Sequence, residues 1–232
     1  MTPSNKSQVF IIIGSPGAGK GTQANLLSEK FDLYHFRTSK IVGKIIEEAE
    51  PGSFIEIGGK KYYFEEQKKL RKRGKLWDPP FLTYFVNKKI RELYKDGRRP
   101  VLDGAPRTVY QAEEIVPILK ELYGAENIKV IYIEITDDEA IFRNTHRREC
   151  ELVRHPILYT KETAKLTKCP LDGSRLVERK DDTPETIKIR LREYKERTLP
   201  LVKYFKKQGL KVKKIDGSPP PADVFKNILR VL

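Results

Sequence analysis

Gly14-Ser15-Pro16-Gly17-Ala18-Gly19-Lys20-Gly21-Thr22 follows directly on the apolar run Val9-Phe10-Ile11-Ile12-Ile13 and opens a stretch, residues 21–30, that reads as a helix. Gly-x-x-x-x-Gly-Lys between a strand and a helix is a phosphate-loop pattern, varied here by Gly21 where Ser or Thr is usual. Its glycines let backbone N–H groups from Gly17, Ala18, Gly19, Gly21 and Thr22 turn inward around phosphate oxygens. The helix start adds partial positive charge, and Lys20 reaches the β- and γ-phosphates. A plain glycine-rich turn with an incidental lysine has no need of strand, loop, lysine and helix in that order, so nucleotide binding is the expectation.

Further apolar, β-branched runs at residues 33–36, 100–102, 130–135 and 210–215 alternate with helical stretches. That alternation predicts an α/β fold: a P-loop NTPase-type parallel sheet of about five strands, helices on both faces, and ligand loops beyond the carboxyl ends of the strands. Two stretches break the pattern. Residues 41–94 are rich in charge and carry two short strand-like runs around Gly58-Gly59, a β-hairpin signal. Residues 149–180 hold both cysteines and little apolar periodicity, and read as a small excursion from the core.

A chain of 232 residues with 38% hydrophobic content is expected to form one main domain with insertions. Its first eight residues are short and polar, and no run of eighteen apolar residues occurs, so neither signal peptide nor membrane span is expected. Two cysteines suit the reducing cytosol better than a disulfide framework. The formal charge of +14 favours polyanionic partners, either nucleic acid or nucleoside phosphates.

Gly14 to Gln23 resembles the opening of the adenylate kinase family, and three more blocks follow in that family's order. They are Leu102-Asp103-Gly104-Ala105-Pro106-Arg107-Thr108 with Gln111; Asp137-Asp138-Glu139 leading to Arg143 and Arg147-Arg148; and Arg179-Lys180-Asp181-Asp182 with Arg190. The resemblance implies a monomeric long-lid enzyme with core 1–37, 76–148 and 181–232, an NMP-binding insertion 38–75 and a lid 149–180. It implies transfer from MgATP to AMP with ADP as product. Arg107 would hold the acceptor phosphate, Arg143 and Arg147 would lie on the donor side, and Arg179 and Arg190 would swing in from the lid edge. Thr38, Lys75, Leu76, Trp77, Gly104 and Gln111 would line the acceptor site, with Gln111 reading the base, and Pro219 would line the donor adenine. Asp103 would orient magnesium-bound water, with Asp181 or Asp182 sharing that shell, although a turn-capping role also fits an Asp-Gly pair.

These residues make chemical sense without the family. Transfer between two nucleotides gathers negative charge, and arginine neutralises it with a planar, permanently charged fork. Arg143 and Arg147, four apart, would share one helical face, as would any solvated basic pair.

Several positions depart from the family. Gly43 stands where an acceptor-phosphate arginine is expected, so Arg37, Lys44, Arg71 or Arg73 would have to substitute; Lys40 replaces an aspartate near the metal. Trp77 replaces a smaller residue and would either stack on the acceptor base, shift base preference towards UMP, CMP or GMP, or serve as a core tryptophan. In the lid, relatives hold zinc with four cysteines or three and an aspartate. Here Val153 occupies one ligand place, leaving Cys150, His155, Cys169 and Asp172 as a candidate four-coordinate set, with two reduced cysteines and a surface histidine as the alternative.

Two other classes compete. Lys68-Lys69-Leu70-Arg71-Lys72-Arg73 resembles a nucleic-acid-tracking patch, but it suits a solvated helix face equally and leaves the arginine blocks unexplained. A regulatory ATPase or GTPase switch is disfavoured, because no Asn/Thr-Lys-x-Asp base-reading segment occurs.

Overall fold

The computed structural model describes residues 8–178 and 182–232. In chain order its elements begin with β1 (Val9–Gly14), α1 (Lys20–Phe31), β2 (Tyr34–Arg37) and α2 (Thr38–Glu48). A hairpin of β3 (Phe54–Ile57) and β4 (Lys60–Tyr63) turns at Gly58-Gly59 and leads into α3 (Phe64–Lys72) and α4 (Pro79–Lys95). Next come β5 (Pro100–Asp103), α5 (Val109–Tyr123), β6 (Ile128–Glu134) and α6 (Asp137–Thr145). Three short strands follow, β7 (Arg148–Cys150), β8 (Pro156–Ile157) and β9 (Leu176–Glu178), then α7 (Pro184–Glu193), α8 (Leu201–Lys207), β10 (Val212–Asp216) and α9 (Pro221–Val231).

The main sheet is parallel, in the order β10-β6-β1-β5-β2. β1 is central, with Ile11 level with Leu102 of β5 and with Val130 of β6. Its side chains divide by the two-residue period of a strand. Val9, Ile11 and Ile13 join a cluster with Val86 and Ile90 of α4, Ile115 and Leu119 of α5, and Phe205 of α8. Phe10 and Ile12 point the other way, onto Ala24 and Leu27 of α1 and Val224 and Ile228 of α9. A strand apolar at every position is what a sheet covered on both faces requires, and each fully buried side chain of this size contributes about 1.5–3 kcal/mol.

This packing fixes the carboxyl edge of the sheet. Ile12 is in register with Asp103, so the glycine loop leaving β1 and the turn leaving β5 emerge side by side. The hairpin and the three antiparallel strands, in the order β8-β7-β9, form sheets of their own. Ala140 of α6 packs on Ile187 and Leu191 of α7, setting the two helices that flank the excursion against each other.

Candidate active site

The glycine loop is built from backbone that other residues cannot adopt cheaply. Gly17 and Gly19 have φ of 83° and 81°, and a Cβ at Gly17 would stand 2.6 Å from the Asn144 amide nitrogen. Gly19 begins α1 with no side-chain cap, whereas Thr108, Thr136 and Thr183 cap α5, α6 and α7 with their hydroxyls. The first N–H groups of α1 are therefore not claimed by a capping side chain. Lys20 donates to the Ser15 carbonyl at 2.7 Å, spanning the loop. Burial and the charge of Arg107 pull its pKa down to about 7, with a smaller push from Arg147 and against the opposing charge of Asp103.

Asp103 ends β5 at the mouth of this loop. A Cβ on Gly21 would stand 3.3 Å from its carboxylate, so the unusual glycine at 21 leaves room for the acid. Burial alone would raise the Asp103 pKa, but the hydrogen bond from His35 and the charges of Lys20, His35 and Arg107 outweigh it and keep the acid below its ordinary range. His35 lies 3.3 Å away and is itself contacted by Arg37, which also reaches Asn25. His35 carries no motif, and only the β2–β5 pairing reveals its role.

The arginines converge through Asp182. This carboxylate accepts from Arg147 at 2.8 and 2.7 Å and from Arg190 at 2.9 Å, and its side chain is only 5% exposed. Expected in a magnesium water shell, Asp182 bridges two guanidiniums in this structure. Arg143 and Arg147 do not share a helical face: α6 ends at Thr145, whose hydroxyl bonds back to Ile141, and Arg147 lies in the link to β7. Arg143 pairs with Glu139 and donates to the carbonyls of Gly217 and Ser218, tying α6 to the loop that contains Pro219. Arg179 and Asp181 lie outside the described residues.

Arg107 follows Gly104 in the turn after β5. A Cβ at Gly104 would stand 3.1 Å from the Arg107 guanidinium and 3.5 Å from Thr38, so these three residues meet. Gln111 is fully buried and accepts from the Arg107 backbone N–H at 2.6 Å; Thr198 donates its hydroxyl to the Arg107 carbonyl. Burial lowers the Arg107 pKa, Asp103 opposes this, and the nearby charges of Arg190 and Arg71 lower it further. Thr38 Oγ1 and Gln111 Nε2 are buried with no hydrogen-bond partner among the described residues, as expected of groups that await a polar ligand.

The residues around the missing arginine separate clearly. Arg37 faces His35 and Asn25, Lys44 pairs with Glu48 at 3.6 Å near the surface, and Arg73 and Lys40 are exposed. Lys75 is exposed and Leu76 half-buried, while Trp77 is 8% exposed within the main core cluster.

In the lid, Cys150, His155, Cys169 and Asp172 bring their ligand atoms within 4.8 Å of one another. Cys150 Sγ is 2.7 Å from His155 Nδ1, and Cys169 Sγ is 3.7 Å from Nε2. Asp172 turns Oδ1 to the Ser174 N–H and hydroxyl at 2.9 and 2.7 Å, while its buried Oδ2 has no partner among hydrogen bonds of the described residues. Those Ser174 bonds, with the thiols of Cys150 and Cys169, hold the acid far below its ordinary pKa. His146 is not among the four: it stacks on Phe142 and Tyr159 at the end of α6.

A family model described as Adenylate kinase matches residues 12–210. The adenylate kinase of Staphylococcus aureus (strain MW2) is 34% identical over 228 residues, spanning 96% of this chain and 98% of that protein. Those of Caldicellulosiruptor saccharolyticus and Clostridium tetani are each 34% identical, across 96% of this chain and 98% and 97% of their own lengths.

Proposed function

Because the chain belongs to the adenylate kinase family, we propose that it transfers a phosphoryl group reversibly from MgATP to AMP, giving two ADP. The observation that carries this reading is the cationic convergence between loop and pocket: Arg147 and Arg190 meet on one Asp182 carboxylate, and the charges of Arg107 and Arg147 bear on Lys20 as that of Arg190 bears on Arg107. Such mutual repulsion is tolerable when an anion occupies the middle, and the phosphoryl group in transit between two oxygens is that anion. An acceptor phosphate oxygen attacks the γ-phosphorus, the bond from that phosphorus to the β–γ bridging oxygen breaks, and the electron pair leaves with ADP. No side chain need remove a proton, because the acceptor phosphate is already ionised.

Lys20 and the α1 start would hold the donor phosphates, and Arg107 the acceptor phosphate. Arg147 and Arg190, aligned by Asp182, would lie along the group being moved. Arg143 and Pro219 would fix the donor base loop; Thr38, Gly104, Gln111 and the segment Lys75-Leu76-Trp77 would line the acceptor side. Asp103 fits a magnesium ion held through water, being ionised and beside Lys20, and the ion when bound would neutralise β- and γ-oxygens. Core 1–37, 76–148 and 181–232 would then carry an acceptor insertion 38–75 and a lid 149–180. A coupled assay across AMP, GMP, UMP and CMP tests the reading: AMP is expected to give the highest kcat/KM, and preference for another base would overturn the acceptor assignment.

The lid residues fit a structural zinc: two thiols, an imidazole and a carboxylate oxygen with no hydrogen-bond partner among the described residues match the ion's tetrahedral N/S/O preference. Metal analysis should find one zinc per chain, lost in Cys169→Ser together with part of the thermal stability. Reduced thiols suit a cytosolic setting, and no helix of the described residues is long and apolar enough to cross a membrane. A monomer of 26.9 kDa is the expected species in light scattering.

A further inference from the structure

Gly43 is not an empty place. A Cβ built there would stand only 2.7 Å from an Arg71 guanidinium nitrogen, so the arginine of α3 fills the volume a side chain on α2 would take. That nitrogen donates to the Ser39 carbonyl at 2.9 Å, and the guanidinium lies 5.1 Å above the centre of the Trp77 ring. The platform is firm. Gln67, one helical turn before Arg71, is fully buried and exchanges two hydrogen bonds with Asp78, from its amide to the carboxylate at 2.7 Å and from the Asp78 N–H at 2.9 Å. This pair locks α3 against the segment that presents Trp77. Nearby, Thr38 begins α2 with a buried Oγ1 that has no partner among the described residues.

We propose that Arg71 is a second acceptor-phosphate ligand, delivered from α3 across Gly43, and that Trp77 is its positioning platform rather than a base-stacking residue. The assignment rests on the phosphoryl-transfer reading of the pocket. A guanidinium held over an indole ring is fixed in position by the ring face, and its planar, charged fork suits a phosphate. The charge of Arg71 already reaches Arg107, as two ligands of one anion should. Gly43 and Trp77, two separate departures from the family pattern, thereby become parts of one exchange: a side chain is removed from α2, and an arginine with its aromatic support is supplied from α3 and the loop after it.

The test is a double-substitution cycle read as separate KM values for AMP and ATP. Arg71→Ala should raise the AMP KM about tenfold or more, the loss of one charge-assisted contact, and leave the ATP KM within about twofold. Gly43→Arg in the Arg71→Ala background should recover at least about fivefold of that loss, whereas in the wild type it should raise the AMP KM because two arginines compete for one volume. Arg71 is exposed, so its removal should leave the fold intact, and an unchanged ATP KM verifies this. An Arg71→Ala enzyme with the wild-type AMP KM would overturn the assignment, as would equal losses for both substrates. Arg107→Ala separates the two readings: if it cripples turnover while Arg71→Ala does nothing, only Arg71 is misassigned. If Arg107→Ala retains full turnover, the pocket itself is misread and both fall.

Discussion

The donor loop and the acceptor pocket meet at the ends of β1 and β5, yet they are made from different material. In the proposed reading, one continuous segment, residues 14–22, would hold the donor phosphates through backbone whose path depends on left-handed glycines. The acceptor side would be assembled from side chains on separate elements: Thr38 from α2, Arg107 from the turn after β5, Gln111 from α5 and Arg190 from α7. A site made of backbone has no spare parts, because each N–H is fixed by the turn that carries it. A site made of side chains can exchange one supplier for another, provided the new group reaches the same volume, and Gly43 with Arg71 is such an exchange.

That contrast can be broken by substitution. The largest effect is expected at Lys20, the side chain of the glycine loop itself: Lys20→Met should lower kcat by about a thousandfold or more. Full turnover in a phosphoryl-transfer assay would contradict the catalytic assignment. Asp182→Asn should come next, lowering kcat by about ten- to a hundredfold with little change in either KM, because it frees Arg147 and Arg190 from their alignment without touching either nucleotide. A change confined to KM would show that the clamp serves binding instead. Thr38→Val sits at the mild end. Losing one hydroxyl from a pocket with several suppliers should raise the AMP KM by only about three- to tenfold, and a larger loss would mean that the acceptor side is as intolerant as the donor side.

A finer test uses protons. With the donor site empty, Lys20 has a pKa pulled down to about 7 from 10.5. Below about pH 7 it is charged in folded and unfolded chains alike, and its confinement weighs on the fold; between about 7 and 10.5 the unfolded chain holds the extra proton, so stability rises with pH through that window. Phosphate in the loop restores the charge. Binding of MgATP at pH 8 should therefore take up a fraction of a proton, and at pH 6 close to none, measured by calorimetry in buffers of different ionisation enthalpy. Proton release at pH 8 would contradict the origin assigned to the depressed pKa.

The same division explains what could be read before the fold was known. The glycine loop and the five sheet strands, β1 before that loop among them, are contiguous features, and residue type and periodicity announce each of them. Gly58-Gly59 likewise marked the hairpin. What stayed hidden depends on partners far apart in the chain. No spacing shows that Arg147 and Arg190 meet on Asp182, and His35 has no signature without the pairing of β2 with β5. The spacing of Arg143 and Arg147 suggested one helix because nothing in that spacing records the turn at Thr145. Four basic residues stood as equal candidates for the role lost at Gly43, and only packing separated Arg71 from the others. The lid strands escaped notice because they are two or three residues long and lack a periodic apolar face.

The most direct measurement is a crystal structure with a bisubstrate analogue, two adenosines joined by a chain of five phosphates. Lys20, Arg107, Arg147 and Arg190 should all lie within hydrogen-bond reach of the phosphate chain, with the glycine loop wrapped around one end and Thr38 and Gln111 at the other. Guanidiniums turned away from the phosphates into solvent, with the analogue held elsewhere, would contradict the convergence on which the assignment depends.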